Sequence, residues 1–434
     1  MPSTDPLRIL FLTPQLPYPP HQGTALRNWG LLSHLARRHR VSLLSFVAPE
    51  QEPRPAPPLS AVCARIETVP QPVRSLSRRL RDLLLTRQPD MALRLESPLF
   101  RRRLTAWLAQ ERFDVVHVEG IELACYLDLL TEARPRPFIL FDDHNCEYLL
   151  QRRAFLTDLT HPARWHAAAY SLVQWLRLRR FEAWVCRQAD RVVAVSEADS
   201  AALRSLVPGL SPIVLPNGID VDAYRPDTPP APGMGQAALV FTGKMDFRPN
   251  VDAVLWFAQE VLPRIRQEIP EAHFWIVGQR PHPRLDPLRS DPAVTLTGRV
   301  EEIQPYIAGA AVYVIPIRMG GGTRLKLLEA MAMERAVVST RLGAEGFPVQ
   351  DGEELLLADT PEEFAAAVLS LLRDPGRRET LGRAGRRFVQ TYYDWRVLIP
   401  RLEAAYPHSG LRPPEGKQPR DPASEDSQRP GEDP

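Results

Sequence analysis

Short apolar runs rich in β-branched residues alternate with helix-forming segments along this chain, and the alternation happens twice. In the first half, strand-like runs cover residues 7–13 (LRILFLT), 41–47, 65–69, 114–118 (DVVHV), 138–141, 191–196 (RVVAVS) and 213–215. Helical segments lie between them at about 24–38, across a basic, partly amphipathic region at 74–110, at 147–188 as one or two long helices, and at 197–206. Residues 226–235 (PDTPPAPGMG) are dense in Pro and Gly and read as a linker. The pattern then restarts. Strands are expected at 239–243, 273–277, 294–297, 312–317, 336–340 and 354–358, and helices at 251–266, near Leu285, at 301–308, 323–335, 361–373, 377–389 and 395–405. Two such series across a linker predict an α/β chain with two doubly wound, Rossmann-like domains facing across a cleft. Ligands of such sheets sit beyond the carboxyl ends of the strands, so the loops after Thr13, Phe141, Gly243 and Ile317 are the ones to search.

Composition changes this picture little. The 434 residues are 44% hydrophobic and 24% charged, ordinary for a globular protein with sizeable cores. A net charge of +2 makes no case for nucleic acid as a partner. No apolar run reaches the length of a membrane span, and the N-terminus has no signal-peptide pattern. Cys63, Cys125, Cys146 and Cys186 are widely spaced, form no CxxC pair and read as free thiols in a reducing cytoplasm. Residues beyond about Pro407 are polar and rich in Pro, Gly and charge, and are expected to be a disordered tail. Lysine is rare: Lys244, Lys326 and Lys417 are the only three.

The chemistry concentrates in residues 312–335, VYVIPIRMGGGTRLKLLEAMAMER. An apolar strand runs into the consecutive glycines Gly320, Gly321 and Gly322. A helix with Thr323 as expected N-cap follows, so Glu329 would stand about two turns in. Glycines let backbone N–H groups approach a ligand, and a helix N-terminus adds positive potential. Arg324 and Lys326 add full charges where a bound anion would offset their conflict with the helix dipole.

Five segments carry a resemblance: VVAVSEAD, VLPNGIDVDAY, FTGKMDFRPNVDAV, VTLTGRVEEIQPYIAGAAVYVIPI and GGGTRLKLLEAMAMERAVVST. In this order and spacing the chain resembles retaining glycosyltransferases of family 4, which have the GT-B fold, over roughly residues 7–405. The MDFRPN and GGGTRLKLLEAMA forms resemble bacterial transferases of exopolysaccharide systems. The resemblance implies an acceptor-side domain at 1–215, a donor-side domain at 216–390, a segment 391–406 crossing back to the first domain, and the tail at 407–434. Domain closure about residues 215–218 is expected.

The implied donor is a nucleotide-diphosphate sugar, and the implied acceptor a glycan or a lipid-linked molecule. Glu329 would hold the ribose hydroxyls, and the turn Gly298 to Val300 the base. Lys244 after Gly243, with Arg248, Arg324 and Lys326, would bind the diphosphate; the family's second lysine falls at Pro249. The family often has a sugar-binding glutamate where this chain has Gly321. His144 in DDHN would lie near the reacting sugar, and Gly23 near the donor phosphate. His144, Lys244 and Lys326 are the expected catalytic groups. No cofactor and no metal are expected, since no DxD pair lies in a donor loop. The implied location is the cytoplasm, with the inner membrane face open.

Each feature also has a plainer reading. The glycines could form only a turn, Glu329 a surface pair with Lys326, and His144 a satisfied strand-end histidine. Asp142 and Asp143 read as helix-cap or loop acids, and the basic regions at 74–103 and 177–187 as solvated faces over a packed stripe. A peripheral membrane contact stays open, as do two other functions: a nucleotide-sugar 2-epimerase of this fold, and a non-catalytic nucleotide-sugar-binding partner.

Overall fold

The computed structural model describes residues 6–20, 23–48, 56–160, 164–320 and 324–407. Two parallel sheets form, as the double alternation predicts. The first comprises β1 (Arg8–Thr13), β2 (Arg40–Val47), β3 (Arg65–Pro70), β4 (Val115–Glu119), β5 (Phe138–Asp143), β6 (Arg191–Ala194) and β7 (Ile213–Val214), in the order β3-β2-β1-β4-β5-β6-β7. The second comprises β8 (Ala238–Thr242), β9 (His273–Val277), β10 (Val294–Gly298), β11 (Val312–Ile315), β12 (Val337–Ser339) and β13 (Leu356–Leu357), in the order β10-β9-β8-β11-β12-β13. The central strands are buried over nearly their whole length because helices cover both faces. Each sheet reverses its winding once, between β1 and β4 and between β8 and β11. Those reversals open a crevice at the strands' carboxyl ends, the usual ligand position in such sheets.

The chain returns to its first sheet at the end. Trp395, Leu398, Ile399, Leu402 and Tyr406 pack in one apolar cluster with Ile9, Phe11 and Leu31. The seam is tight. Trp395 lies against Gly30 and Gly218, where added Cβ atoms would stand 2.2 and 2.7 Å from its indole. Arg27, in the helix Gly23–Leu35, ties the same region together. It makes a two-pronged ion pair with Asp142 (2.8 and 3.0 Å) and donates to the carbonyls of Leu215 and Pro216.

One basic region departs from expectation. The helix Leu76–Leu85 has no packed stripe, for it buries none of its residues. It is held at Asp82 and Leu83, its two half-buried residues: Arg74 bonds Asp82 and Asp90, and Arg177 donates to the carbonyl of Leu83 at 2.7 Å. Leu76, Leu84 and Leu85 are left 80%, 73% and 77% exposed. The ion pairs and backbone bonds are the stronger local demand, and they turn the leucines outward. Among the described residues no helix is long and apolar enough to cross a membrane.

Candidate active site

The second-sheet crevice is built from the loops after β8 and β11. Lys326 lies in the helix Leu325–Ala332, and its Nζ is 3.0 Å from Asn250 Oδ1 and 3.8 Å from the centroid of the Phe241 ring. Asn250 in turn donates to the Lys244 carbonyl at 2.9 Å. Gly243 completes the contact: a Cβ there would stand 2.7 Å from Asn250 and 3.0 Å from Lys326 Nζ. So the structure brings Gly243, Lys244 and Lys326 together through Asn250. Gly320 has φ +94°, and a Cβ on it would come within 3.0 Å of Pro249 and 3.6 Å of Arg324. Pro249, which stands where the family's second lysine falls, thus packs under Gly320. Arg248 opens the helix Arg248–Trp256 and is exposed.

The helix start needs correction. It begins at Leu325, and Arg324 occupies the N-cap position with a non-helical backbone (φ −93°, ψ 83°). Glu329 is therefore about one turn in, not two. Gly321, Gly322 and Thr323 lie outside the described residues. Nor does Glu329 form a surface pair with Lys326. It is buried and accepts a hydrogen bond from Tyr224 at 3.1 Å. Burial raises its carboxyl above the ordinary range, against that bond and the charge of Lys326. Burial likewise pushes Lys326 down to about 7, with Glu329 opposing. Gly298 ends the edge strand β10 with φ +70°, and Val300 packs on the domain core two strands away from β8. The structure does not bring this turn into contact with Lys326.

His144 belongs to a separate cluster at the first-sheet reversal. Its Nε2 is 3.0 Å from Glu119 Oε2, and Glu119 Oε1 is 3.1 Å from His117 Nδ1. Burial lifts the Glu119 carboxyl, but the two histidine hydrogen bonds outweigh it and hold the group down at about 2. Burial pulls His144 down, yet the bond to Glu119 and the charges of Asp142 and Glu119 hold the ring above its ordinary value. Gly23 starts its helix with open space where a Cβ would point.

Asp142 and Asp143 are corrected as well. Both are buried at the end of β5, not caps or loop acids. Asp142 pairs with Arg27, and Asp143 faces Glu182, whose oxygens accept the backbone N–H groups of Glu147 and Tyr148. Burial is the main cause that raises both carboxyls, Asp143 well above its usual range and Glu182 to about 7, and the proximity of Glu182 adds to the rise at Asp143. Ligand atoms of Glu119, Asp142 and His144 lie within 4.8 Å of one another, a spacing a cation could bridge. Each carboxylate oxygen of that set already serves Arg27, His117 or His144. The donor set is that of a closed hydrogen-bond network.

Sequence reasoning missed Glu119, Asn250, Tyr224 and Arg27. Glu119 left a faint signal: in DVVHVE it follows His117 by two, so both share one face of a strand.

Two family models match this chain. One, described as Glycosyltransferase Family 4, matches residues 22–223; the other, Glycosyl transferases group 1, matches residues 236–374. Together they span most of the chain. A phosphatidyl-myo-inositol mannosyltransferase of Mycobacterium tuberculosis is 26% identical over 328 residues, which is 71% of this chain and 77% of that protein. An uncharacterized 44.6 kDa protein in the cps region of Klebsiella pneumoniae is 24% identical over 164 residues, 36% of this chain and 42% of its own length. Among solved structures, Anabaena Alr3699/HepE in complex with UDP and glucose has a TM-score of 0.62 at 15% identity, covering 93% of this chain and all of that one. Sucrose-phosphate synthase from Thermosynechococcus elongatus has a TM-score of 0.63 at 18% identity, covering 92% and 98%. At these identities the structural likeness speaks for the fold.

Proposed function

The chain belongs to the family 4, group 1 glycosyltransferases of GT-B fold, and from that premise we propose that it moves a sugar from a nucleotide-diphosphate donor to an acceptor hydroxyl with retention of anomeric configuration. The observation that carries the donor reading is the half-buried Lys326, held by Asn250 beside Gly243 and one turn from the buried carboxylate of Glu329. A cation and an acid kept apart in one crevice suit the two ends of a nucleotide diphosphate. Lys326, Lys244 and Arg324 meet the diphosphate, Glu329 accepts from the ribose hydroxyls, and the Gly298 to Val300 turn lies against the base. As the bond from the anomeric carbon to phosphate oxygen breaks, negative charge grows on the departing diphosphate, and fixed cations and N–H groups stabilise it there. The acceptor hydroxyl attacks from the same face, and its proton passes to the departing phosphate oxygen. His144 donates to the reacting sugar from the first domain. No step needs a metal or a protein nucleophile.

A thermal-shift panel of UDP-, GDP-, ADP- and dTDP-sugars tests the donor site. A ligand at a hundred times its Kd stabilises the folded state by about 2.7 kcal/mol. One nucleotide class is expected to raise Tm in the wild type and to lose that effect in Glu329→Ala. Four flat traces would refute the site.

We place the reaction in the cytoplasm, in exopolysaccharide or other cell-surface glycan synthesis, with a glycan or lipid-linked acceptor at the inner membrane face. The outward leucines of the helix Leu76–Leu85 support this placement. The stretch 74–94 holds Arg74, Arg78, Arg79, Arg81, Arg87 and Arg94 against Asp82 and Asp90. Leucines flanked by excess arginine suit an anionic bilayer. Vesicles with phosphatidylglycerol are expected to carry the protein in flotation, and Leu84→Glu with Leu85→Glu to weaken this about tenfold or more. Equal flotation of wild type and variant would dispose of the contact.

A further inference from the structure

The donor reading leaves one polar chain at the first-sheet reversal unused. Beyond Glu119, His117 Nε2 lies 2.7 Å from the Tyr406 hydroxyl, and the His117 ring stacks on Phe11 with centroids 4.3 Å apart. His117, Glu119 and Tyr406 are all buried. Tyr406 follows the helix Trp395–Glu403, which reaches the first domain after the second-domain fold is complete. Three parts of the chain thus meet in a line that ends on His144.

A buried carboxylate is tolerated only when its lone pairs are engaged. Both Glu119 oxygens are engaged, each by a histidine ring. An anion at 3.0 Å places the proton of His144 on Nε2 and leaves Nδ1 as the ring's other polar atom. Nδ1 lies beside Gly120, whose φ is +91° and where a Cβ would stand 3.7 Å from it. The same Cβ would stand 3.0 Å from Glu122 Oε2, so a side chain at 120 would crowd both that carboxylate and Nδ1. The charged groups around the ring come from five elements, the first being the short helix Ile121–Tyr126, which brings Glu122 beside Gly120. β4 supplies Glu119; β5 supplies Asp142; the helix Gly23–Leu35 supplies Arg27; and Glu147 begins the helix Glu147–Leu159. Arg27 is committed to Asp142 by two bonds. The balance around the imidazole is therefore anionic.

We infer that Glu119, locked in place by His117 and Tyr406, is a positioning residue that holds His144 as a cationic donor, with Nε2–H on Glu119 and Nδ1–H aimed at the reacting sugar or its phosphate. The inference rests on the placement of His144 at the reacting sugar. A donor of this kind works below the titration midpoint of His144, whereas a general base would work above it. The sign follows: activity is present at low and neutral pH and is lost as pH rises through the midpoint.

Two measurements on the full chain test it: the pH profile of kcat/KM, and NMR titration of the His144 ring without substrate. Glu119→Gln is expected to move the His144 midpoint downward in both, and to lower kcat at pH 8 about tenfold or more with nucleotide Kd unchanged. Tyr406→Phe removes one hydroxyl from the buried line, so it tests the relay even if Glu119→Gln fails to fold. It should shift the midpoint in the same direction by less. A His144 midpoint that ignores both substitutions overturns the inference, and so does a rate that climbs with pH through the midpoint. His144→Asn with unchanged turnover would instead overturn the placement of His144 itself, on which the inference stands.

Discussion

Lys326→Met is expected to lower kcat/KM about 10²–10³-fold while raising the melting temperature of the unliganded protein. The two effects share one cause. Burial pushes Lys326 down to about 7, with Glu329 supporting its charge and Arg324 opposing it. Its nitrogen bonds a neutral amide, Asn250, and sits on an aromatic face. Those partners position the ammonium but do not neutralise it. The folded protein therefore binds fewer protons than the unfolded chain between about pH 7 and the ordinary lysine range near 10.4. Its stability falls as pH falls through that window. Methionine removes the penalty, with an expected gain of about 1–3 kcal/mol by denaturant titration at pH 7.5. A bound diphosphate supplies the missing counter-charge and restores the proton. Donor binding at pH 8 should thus take up close to one proton in wild type and none in Lys326→Met. Calorimetry in buffers of different ionisation enthalpy reads this directly. Uptake that persists in the variant would assign the proton to another group. A variant less stable than wild type would make Lys326 a structural residue.

Much of the second-sheet crevice could be read from the residues because it is written in local patterns. The run 312–317 reads as a buried strand and supplies β11 (Val312–Ile315), while glycines beside a helix start carry their own physical meaning. The scarcity of lysine singled out Lys244 and Lys326, and the structure links the two through Asn250. The failures have a common origin in groups that meet only after folding. Glu119 acquires its character from His144, which is 25 residues away, and from His117, whose other nitrogen meets Tyr406 across 289 residues. Asp142 and Asp143 look like loop acids until strand pairing buries them and Arg27 and Glu182 arrive. The region at 74–103 reads as a solvated face over a packed stripe, yet Arg74 and Arg177 hold the helix Leu76–Leu85 at Asp82 and at the Leu83 carbonyl and leave Leu76, Leu84 and Leu85 exposed. Helix starts fail for a local reason: Arg324 takes a non-helical backbone, and composition alone does not report it.

Trp395→Ala is expected to cost about 3–5 kcal/mol, the range for emptying a buried aromatic site. The position in the fold makes the result informative beyond its size. Trp395 follows the second domain in sequence, yet it packs with Ile9, Phe11 and Leu31 of the first. Its backbone N–H bonds the carbonyl of Ile219, and Asp394 before it caps the helix Trp395–Glu403. A local defect would loosen only that helix. A defect in a shared core should lower the unfolding transition of the first domain, followed by the near-ultraviolet signal of its aromatic residues. Gly30 supplies the control. In wild type an alanine at 30 places its methyl against the indole, so Gly30→Ala should destabilise on its own. In the Trp395→Ala background the same methyl enters the vacated space, and the double variant should be more stable than the two single losses would sum to. Strict additivity would mean that the two residues do not meet in solution. A first-domain transition untouched by Trp395→Ala would detach the helix from that core. With it would go the route by which Tyr406 reaches His117, since Tyr406 directly follows the helix that Trp395 begins.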